Sequence, residues 1–310
     1  MTSKQIVGLI NELMESFRKA ASILLYIKII HNMNTYPILY KRFSPSHALR
    51  NYIDYFWAVD APGPKYAQQE MFISSGQSSL LISGITSSVL IDPALKTRIP
   101  TTNTIVGITT KPYILKQFAI DRVRCIGAQF TPFGLAAFIP KTKLINKTMT
   151  LAEWLGNAEA KKLLAILLPL KFDPKPIKLL DDYLQAKLHP INVIDVQALK
   201  MTIQYIKNNG GQVVIEKITK ELQIEYISLY RLFMRYIGIS PKQFADSIRF
   251  YNFTGDLLKD STKDPAVFIA LMHGYYDQSH ASKDFKKFTG ISPNTFKEMT
   301  NTLAHFMHQD

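Results

Sequence analysis

The sequence predicts an α+β chain of several domains: a β-rich barrel or sandwich with flanking helices, then an all-α domain of two helix–turn–helix units joined by a long helix. Three observations carry this. The chain has 310 residues, enough for about two domains at roughly 150 residues each. Between Tyr36 and Pro140, short β-branched and aromatic runs alternate with turn residues, as in NYIDYFWAVD, SSLLISGI, SSVLIDP, TIVGIT and RCIGAQF; such runs read as strands. In the last third, RLFMRYIGISPKQF (Arg231 to Phe244) recurs without a gap as KDFKKFTGISPNTF (Lys283 to Phe296), and a repeat is the strongest organising signal a sequence offers.

In chain order, residues 1–34 form a helical extension. Ile6, Leu9, Ile10, Leu13, Met14 and Phe17 fall at helical spacing, and either Met1 or Met33 serves as the natural start. Residues 35–140 are the β-rich unit, for sensing or assembly, with Asp60-Ala61-Pro62-Gly63-Pro64 as a loop by composition. Residues 141–192 turn helical, as a linker or dimerisation segment, with Pro169, Pro174 and Pro176 between two helices. A break at His189-Pro190 precedes the repeat domain, residues 193–300, and a tail of 301–310.

The repeat has readable physics. Gly238 and Gly290 each follow a helical run and close it in the left-handed conformation. Ser240 and Ser292 then take the N-cap and Pro241 and Pro293 the first helical position, with Ile239 and Ile291 buried beneath the junction. Upstream lie Val214–Gln223 and Ala266–Tyr276, each a further helix, the second containing the turn residue Gly274. Each copy is therefore helix, tight turn, helix, the arrangement that places its second helix in the DNA major groove. In the second copy the reader helix starts after Asp277. Phe285 and Phe288 face inward, and Gln278, Ser279, Ser282, Lys283 and Lys286 share the outer face at spacings of three and four. Gln and Ser can hydrogen-bond base edges, and Lys can reach guanine or phosphate. In the first copy Leu229, Leu232, Phe233 and Tyr236 face inward, while Tyr226, Ile227, Tyr230, Arg231 and Arg235 remain for DNA.

The second copy, with Ile269-Ala270, Gly274-Tyr275, Asp277-Gln278-Ser279-His280, Phe285-Lys286 and Gly290-Ile291-Ser292-Pro293, resembles the AraC/XylS family of bacterial transcription regulators over about residues 193–300. The resemblance implies a cytoplasmic, sequence-specific DNA-binding regulator. Its linking helix would run from about Pro241 to Lys259, and its two readers would enter successive major-groove segments about 34 Å apart. Double-stranded DNA is the implied partner. RNA polymerase, a small-molecule effector and a second copy of the chain are further partners that the family admits. Phe43 to Trp57, Ser74 to Ile82, Val106-Gly107 and Gly127 to Gly134 resemble a domain of unassigned function found ahead of such DNA-binding domains, which implies a cupin-like barrel. The departures are specific. Thr219, Gln223 and Glu225 stand where the family has Ala, Gly and Ser. Ala281 replaces an aromatic, and Lys283 replaces an Arg, which trades a bidentate fork for a point charge.

Charge sharpens and complicates this reading. The chain carries 37 Lys plus Arg against 24 Asp plus Glu, a net +13. Residues 1–192 hold 23 and 12 of these, or +11, and residues 193–310 hold 14 and 12, or +2. DNA binding by the repeat domain must therefore rest on where its charges sit. The small excess and the altered first turn motivate an alternative: a ligand- or protein-binding adaptor whose DNA-binding domain has decayed. Catalysis has no signature, with no G-x-S-x-G and no phosphate-cradling glycine loop, so no enzyme and no cofactor are expected. Cys125 is the one cysteine, which excludes a disulfide scaffold and thiolate zinc sites; it reads as a small buried hydrophobe. The β region offers only His47, too little for a metal site, and His305 with His308 reads as tail. No apolar run is long enough to span a bilayer. Arg122, Arg124, Lys111 and Lys116 read as a solvated β face before an anion site.

Overall fold

The computed structural model describes residues 39–289 except for 63–67, 73–74, 85–87, 93–97, 112, 119, 141–142, 169–173 and 260–265, and adds Ser292 and Phe296. The helix read at residues 1–34, the tail with His305 and His308, and Gly290, Ile291 and Pro293 lie outside the described residues.

Ten strands form two antiparallel sheets. They are β1 (Leu39–Phe43), β2 (Ile53–Pro62), β3 (Gln68–Phe72), β4 (Ser79–Ser83), β5 (Ser88–Ile91), β6 (Arg98–Pro100), β7 (Thr104–Val106), β8 (Tyr113–Gln117), β9 (Arg122–Phe130) and β10 (Thr148–Thr150). One sheet runs β1-β2-β9-β4-β7-β10, the other β3-β8-β5-β6. The described ladders thus give two sheets rather than one closed barrel.

Period-two alternation decides which side chains enter the core. Along β2, Phe56, Ala58 and Asp60 are buried while Tyr55, Trp57 and Val59 are half-buried. The composition of Asp60 to Pro64 suggests a loop, but β2 continues through Pro62, which pairs with Arg122. An ion pair holds it there. The Asp60 carboxylate accepts from Arg122 Nε at 2.5 Å and Nη2 at 2.9 Å, and from Arg124 Nε at 3.3 Å. The Arg122 hydrogen bond, helped by the charge of both arginines, keeps the Asp60 carboxyl below its usual range.

Residues 143–150 also differ from the helical reading, because β10 completes the larger sheet beside β7. Helix begins only at α1 (Leu151–Leu155), started by a capping box between Thr150 and Glu153. Then follow α2 (Asn157–Leu167) and α3 (Pro174–Ala186). Ala160, Leu163, Leu167, Ile177, Leu180 and Leu184 from these helices enter the same core as Phe56, Leu80 and Phe130.

The repeat domain is all-helical: α4 (Val193–Asn208), α5 (Ile215–Glu221), α6 (Tyr226–Tyr236), α7 (Pro241–Lys259), α8 (Ala266–Met272) and α9 (Gln278–Thr289). Asn192 caps α4, its side chain accepting from Ile194 N, yet the apolar core continues across this point. One cluster runs from Leu49 in the β unit through Val196, Leu199, Ile218, Leu229 and Phe233 to Phe244, Ala245 and Ile248. A separate cluster holds Phe250, Phe253, Leu257, Ile269, Ala270, Tyr275, Ala281, Phe285 and Phe296. The cores therefore divide within α7, between Ile248 and Phe250. The first helix–turn–helix unit shares its core with the β unit, and the second has its own.

Phe244 is the joint. Its ring meets Phe233 of α6 edge-on at 5.9 Å and lies against Gly76 of the β unit, where a Cβ would come within 2.8 Å of Phe244 Cε2. Gly76 also has φ +73°, a left-handed conformation that costs other residues about 1–2 kcal/mol. Hydrogen bonds also tie the segment before α4 to the β unit, from His189 N to Ala137 O and from Ile191 N to Tyr52 Oη. Gly76→Ala is expected to destabilise the chain by about 2 kcal/mol through both strain and overpacking. The midpoint of urea unfolding measures this; an unchanged midpoint would show that Phe244 does not depend on the missing Cβ.

Candidate nucleic-acid interface

The two turn–helix units are built alike although their turn residues differ. In the second, α8 ends in a Schellman closure: Gly274 N donates to Leu271 O at 3.0 Å and Tyr275 N to Ala270 O at 3.1 Å, with Gly274 at φ +72°. In the first, Gln223 N donates to Lys220 O at 3.3 Å and Ile224 N to Thr219 O at 3.0 Å, with Gln223 at φ +52°. Gln223 thus adopts the left-handed conformation of the glycine it replaces, so the turn keeps its shape at a conformational cost. Downstream, Gly238 closes α6 at φ +92°. Ser240 starts α7 with a capping box, since Gln243 N donates to Ser240 Oγ and Ser240 N to Gln243 Oε1. Ile239 is buried beneath this junction, as its place in the repeat predicts.

In the first unit, α6 buries Leu229 and Phe233 completely and half-buries Leu232 and Tyr236. Tyr236 Oη donates to Asp195 Oδ2 of α4 at 2.6 Å. Burial and this bond push the Tyr236 hydroxyl up to about 12. The opposite face is in solvent, with Tyr226, Ile227, Tyr230 and Arg231 all exposed. Tyr226 and Tyr230 stack at 6.5 Å between ring centroids, which keeps two hydroxyl-bearing rings on one ridge. Arg235 is exposed too, but stands in the last turn with its guanidinium 5.2 Å from the Tyr236 ring. There it borders a crevice shared with Ser78, Ile108 and Leu144 of the β unit. Glu225 takes the N-cap position without a side-chain cap bond.

In the second unit, α9 buries Ala281, Phe285 and Thr289. Ser279, Lys283 and Lys286 are exposed and Ser282 is half-buried. Gln278 is the first residue of α9, and its side chain, like that of Phe288, lies outside the described residues. Among the described residues, Arg231, Lys283 and Lys286 form no ion pair, which leaves their charge for an external anion. The β face contrasts with this: Arg122 and Arg124 are engaged by Asp60, and Lys111 by Asp92.

Two contacts that spacing does not reveal join the units. Gln212, in the loop after α4, donates through Nε2 to Met272 O at the end of α8. Arg249 of α7 reaches Asp284 of α9 at 3.1 Å. Their partners are 60 and 35 residues away along the chain, beyond any local pattern. Elsewhere, Cys125 is half-buried on β9, and burial pushes its thiol up to about 12, as for an inert side chain. Among the described residues no group of three His, Cys, Asp or Glu side chains could hold a metal, and no helix is long and apolar enough to cross a membrane.

Comparison with known proteins matches two separate stretches of the chain. Residues 218–299 match a helix–turn–helix domain family, and residues 41–148 match a family described as a domain of unknown function. The lactose operon transcription activator of Staphylococcus xylosus is 29% identical over 119 residues, 37% of this chain and 42% of that protein. The HTH-type transcriptional regulator MtrA of Neisseria gonorrhoeae is 30% identical over 84 residues, 27% of each chain. The matched region thus spans less than half the length of either relative. Among solved structures, ToxT from Vibrio cholerae covers 80% of this chain and 98% of its own at 13% identity and a TM-score of 0.45. The C-terminal domain of AraT, a response regulator from Geobacillus stearothermophilus, covers 33% of this chain and 84% of its own at 29% identity and a TM-score of 0.30.

The left-handed Gln223 gives a direct test of the first turn. Gln223→Gly is expected to stabilise the chain by about 1 kcal/mol, since the conformation is already in place and only the side-chain penalty is lost. Thermal or urea unfolding reads the shift, and a lower midpoint would mean that the exposed glutamine stabilises the turn itself.

Proposed function

We propose that this chain, whose C-terminal third is an AraC-type helix–turn–helix domain, is a sequence-specific transcription regulator that reads two successive major-groove segments through α6 and α9. The observation that carries the reading is the pair of solvent-facing reader surfaces on two turns of matching geometry. Ser279, Ser282 and Lys283 on α9, with Gln278 at its start, supply base-edge donors and acceptors, and Lys286 supplies phosphate contact. On α6, Arg231 and the Tyr226–Tyr230 ridge with Ile227 take the corresponding role. Arg235 stands nearer the β unit and serves phosphate rather than bases. The conserved shape of the Gln223 turn argues against the alternative of an adaptor with a decayed DNA-binding domain. In this reading the β unit senses an effector or mediates assembly with a second copy, the protein works in the cytoplasm on promoter DNA beside RNA polymerase, and it is not an enzyme.

The test is selection of bound sequences from random DNA, followed by titration of the winning fragment at several salt concentrations. Lys283→Ala combined with Arg231→Ala is expected to weaken binding at least tenfold, at about 1 kcal/mol or more per lost contact, and to lower the salt slope by about 1 for each phosphate contact removed. Unchanged affinity, preference and slope in that double variant would show that these two helices do not read the DNA.

A further inference from the structure

We propose that Arg249 is the positioning residue that sets α9 relative to the first unit, and hence fixes the spacing between the two DNA segments that the protein accepts. This rests on the DNA-binding reading above and deepens it. Arg249 stands at the point of α7 where the two apolar cores part, between Ile248 of one and Phe250 of the other. Its backbone lies directly beneath the loop that follows α4: a Cβ on Gly211 would come within 2.5 Å of Arg249 N and 2.3 Å of Ala245 O. Its side chain reaches the second unit. Arg249 Nη2 is 3.1 Å from Asp284 Oδ2 on α9 and 3.5 Å from Asp246 Oδ1 on α7, and the guanidinium lies 4.7 Å from the ring centroid of Tyr275, the residue after the turn glycine. The side chain is only 14% exposed, so water screens these contacts weakly.

The repeat shows why this contact matters. Asp284 corresponds to Leu232 in the first copy. Leu232 packs against the large core that includes the β unit, so α6 is fixed to the body by apolar contact. The same position in α9 carries a carboxylate instead, and its partner is an arginine rooted where the first unit crosses α7. A planar guanidinium held by two carboxylates and a ring has a defined orientation, and it adds to the edge-on packing of Phe285 of α9 against Phe250 and Phe253 of α7. A companion contact across this junction is Gln212 to Met272 O.

The experiment uses the full chain. Selection from random DNA first defines a target with two segments, and targets with one base pair added or removed between the segments are then compared with it. Arg249→Gln is expected to reduce affinity for the natural spacing about tenfold and to bring the three spacings closer together, while affinity for a single segment stays unchanged. Asp284→Asn leaves Arg249 its Asp246 and Tyr275 contacts, so it acts in the same direction more weakly and carries the test if the arginine variant does not fold. Combining the two substitutions should add nothing to Arg249→Gln alone. If the wild-type chain selects a two-segment target and both single variants discriminate spacings as it does, Arg249 has no positioning role. If the wild-type chain enriches no sequence at all, the DNA-binding reading fails and this proposal with it.

Discussion

The packing of Phe244 between Phe233 and Gly76 is the contact on which the rest of the structure depends. It joins a reader helix, the linking helix α7 and a turn of the β unit in one place. Each of the three contributes something that the others require. Phe233 supplies the inward face of α6, Gly76 supplies space that a Cβ would fill, and Phe244 sits one turn into a helix whose start is set by Ser240 and Pro241. Because a buried aromatic pair contributes both area and preferred edge-on geometry, the orientation of α6 is tied to the β unit rather than to the helical domain alone. The larger apolar core therefore runs past Asn192, where composition and the His189-Pro190 break place a boundary, and ends inside α7.

Much of the helical domain was legible because its information is local. Repeated residues at Arg231–Phe244 and Lys283–Phe296 announced two copies, and the glycine, cap and proline rules located the helix ends of α6 and α7 closely. Inward and outward faces followed from spacing alone, as Leu229, Phe233 and Phe285 on one side and Ile227, Arg231 and Lys283 on the other show. The departure at Gln223 was legible as well, and the structure adds that the backbone does not change to suit the residue. What stayed hidden depends on contacts between distant segments. The Asp60 to Pro62 stretch carries loop composition, yet the Arg122 and Arg124 side chains hold it in the sheet. Thr148–Thr150 became a strand because β7 offered an open edge. The Arg249–Asp284 and Gln212–Met272 contacts have no signature in any window of sequence.

Charge placement follows the same logic. A net +13 suggests an anionic partner, but the total does not say where. In the β unit, several cations are committed to carboxylates of the same unit, with Asp60 taking two arginines and Asp92 taking Lys111. On α6 and α9, Arg231, Lys283 and Lys286 face solvent. Recognition depends on where unpaired charge stands on a shaped surface as well as on the net total.

The long reach of Phe244 also bears on how the chain folds. A contact between Gly76 and Phe244 closes a very large loop, and non-local contacts of that kind form slowly because the entropy of closure precedes the reward. Synthesis from the N-terminus eases the difficulty: the sheets emerge first and present a finished apolar face before α6 and α7 leave the ribosome. The second unit needs no such template, since its core draws only on residues from Phe250 onward. One helix–turn–helix unit is thus completed against the sheets, and the other from contacts local to the C-terminal part of the chain.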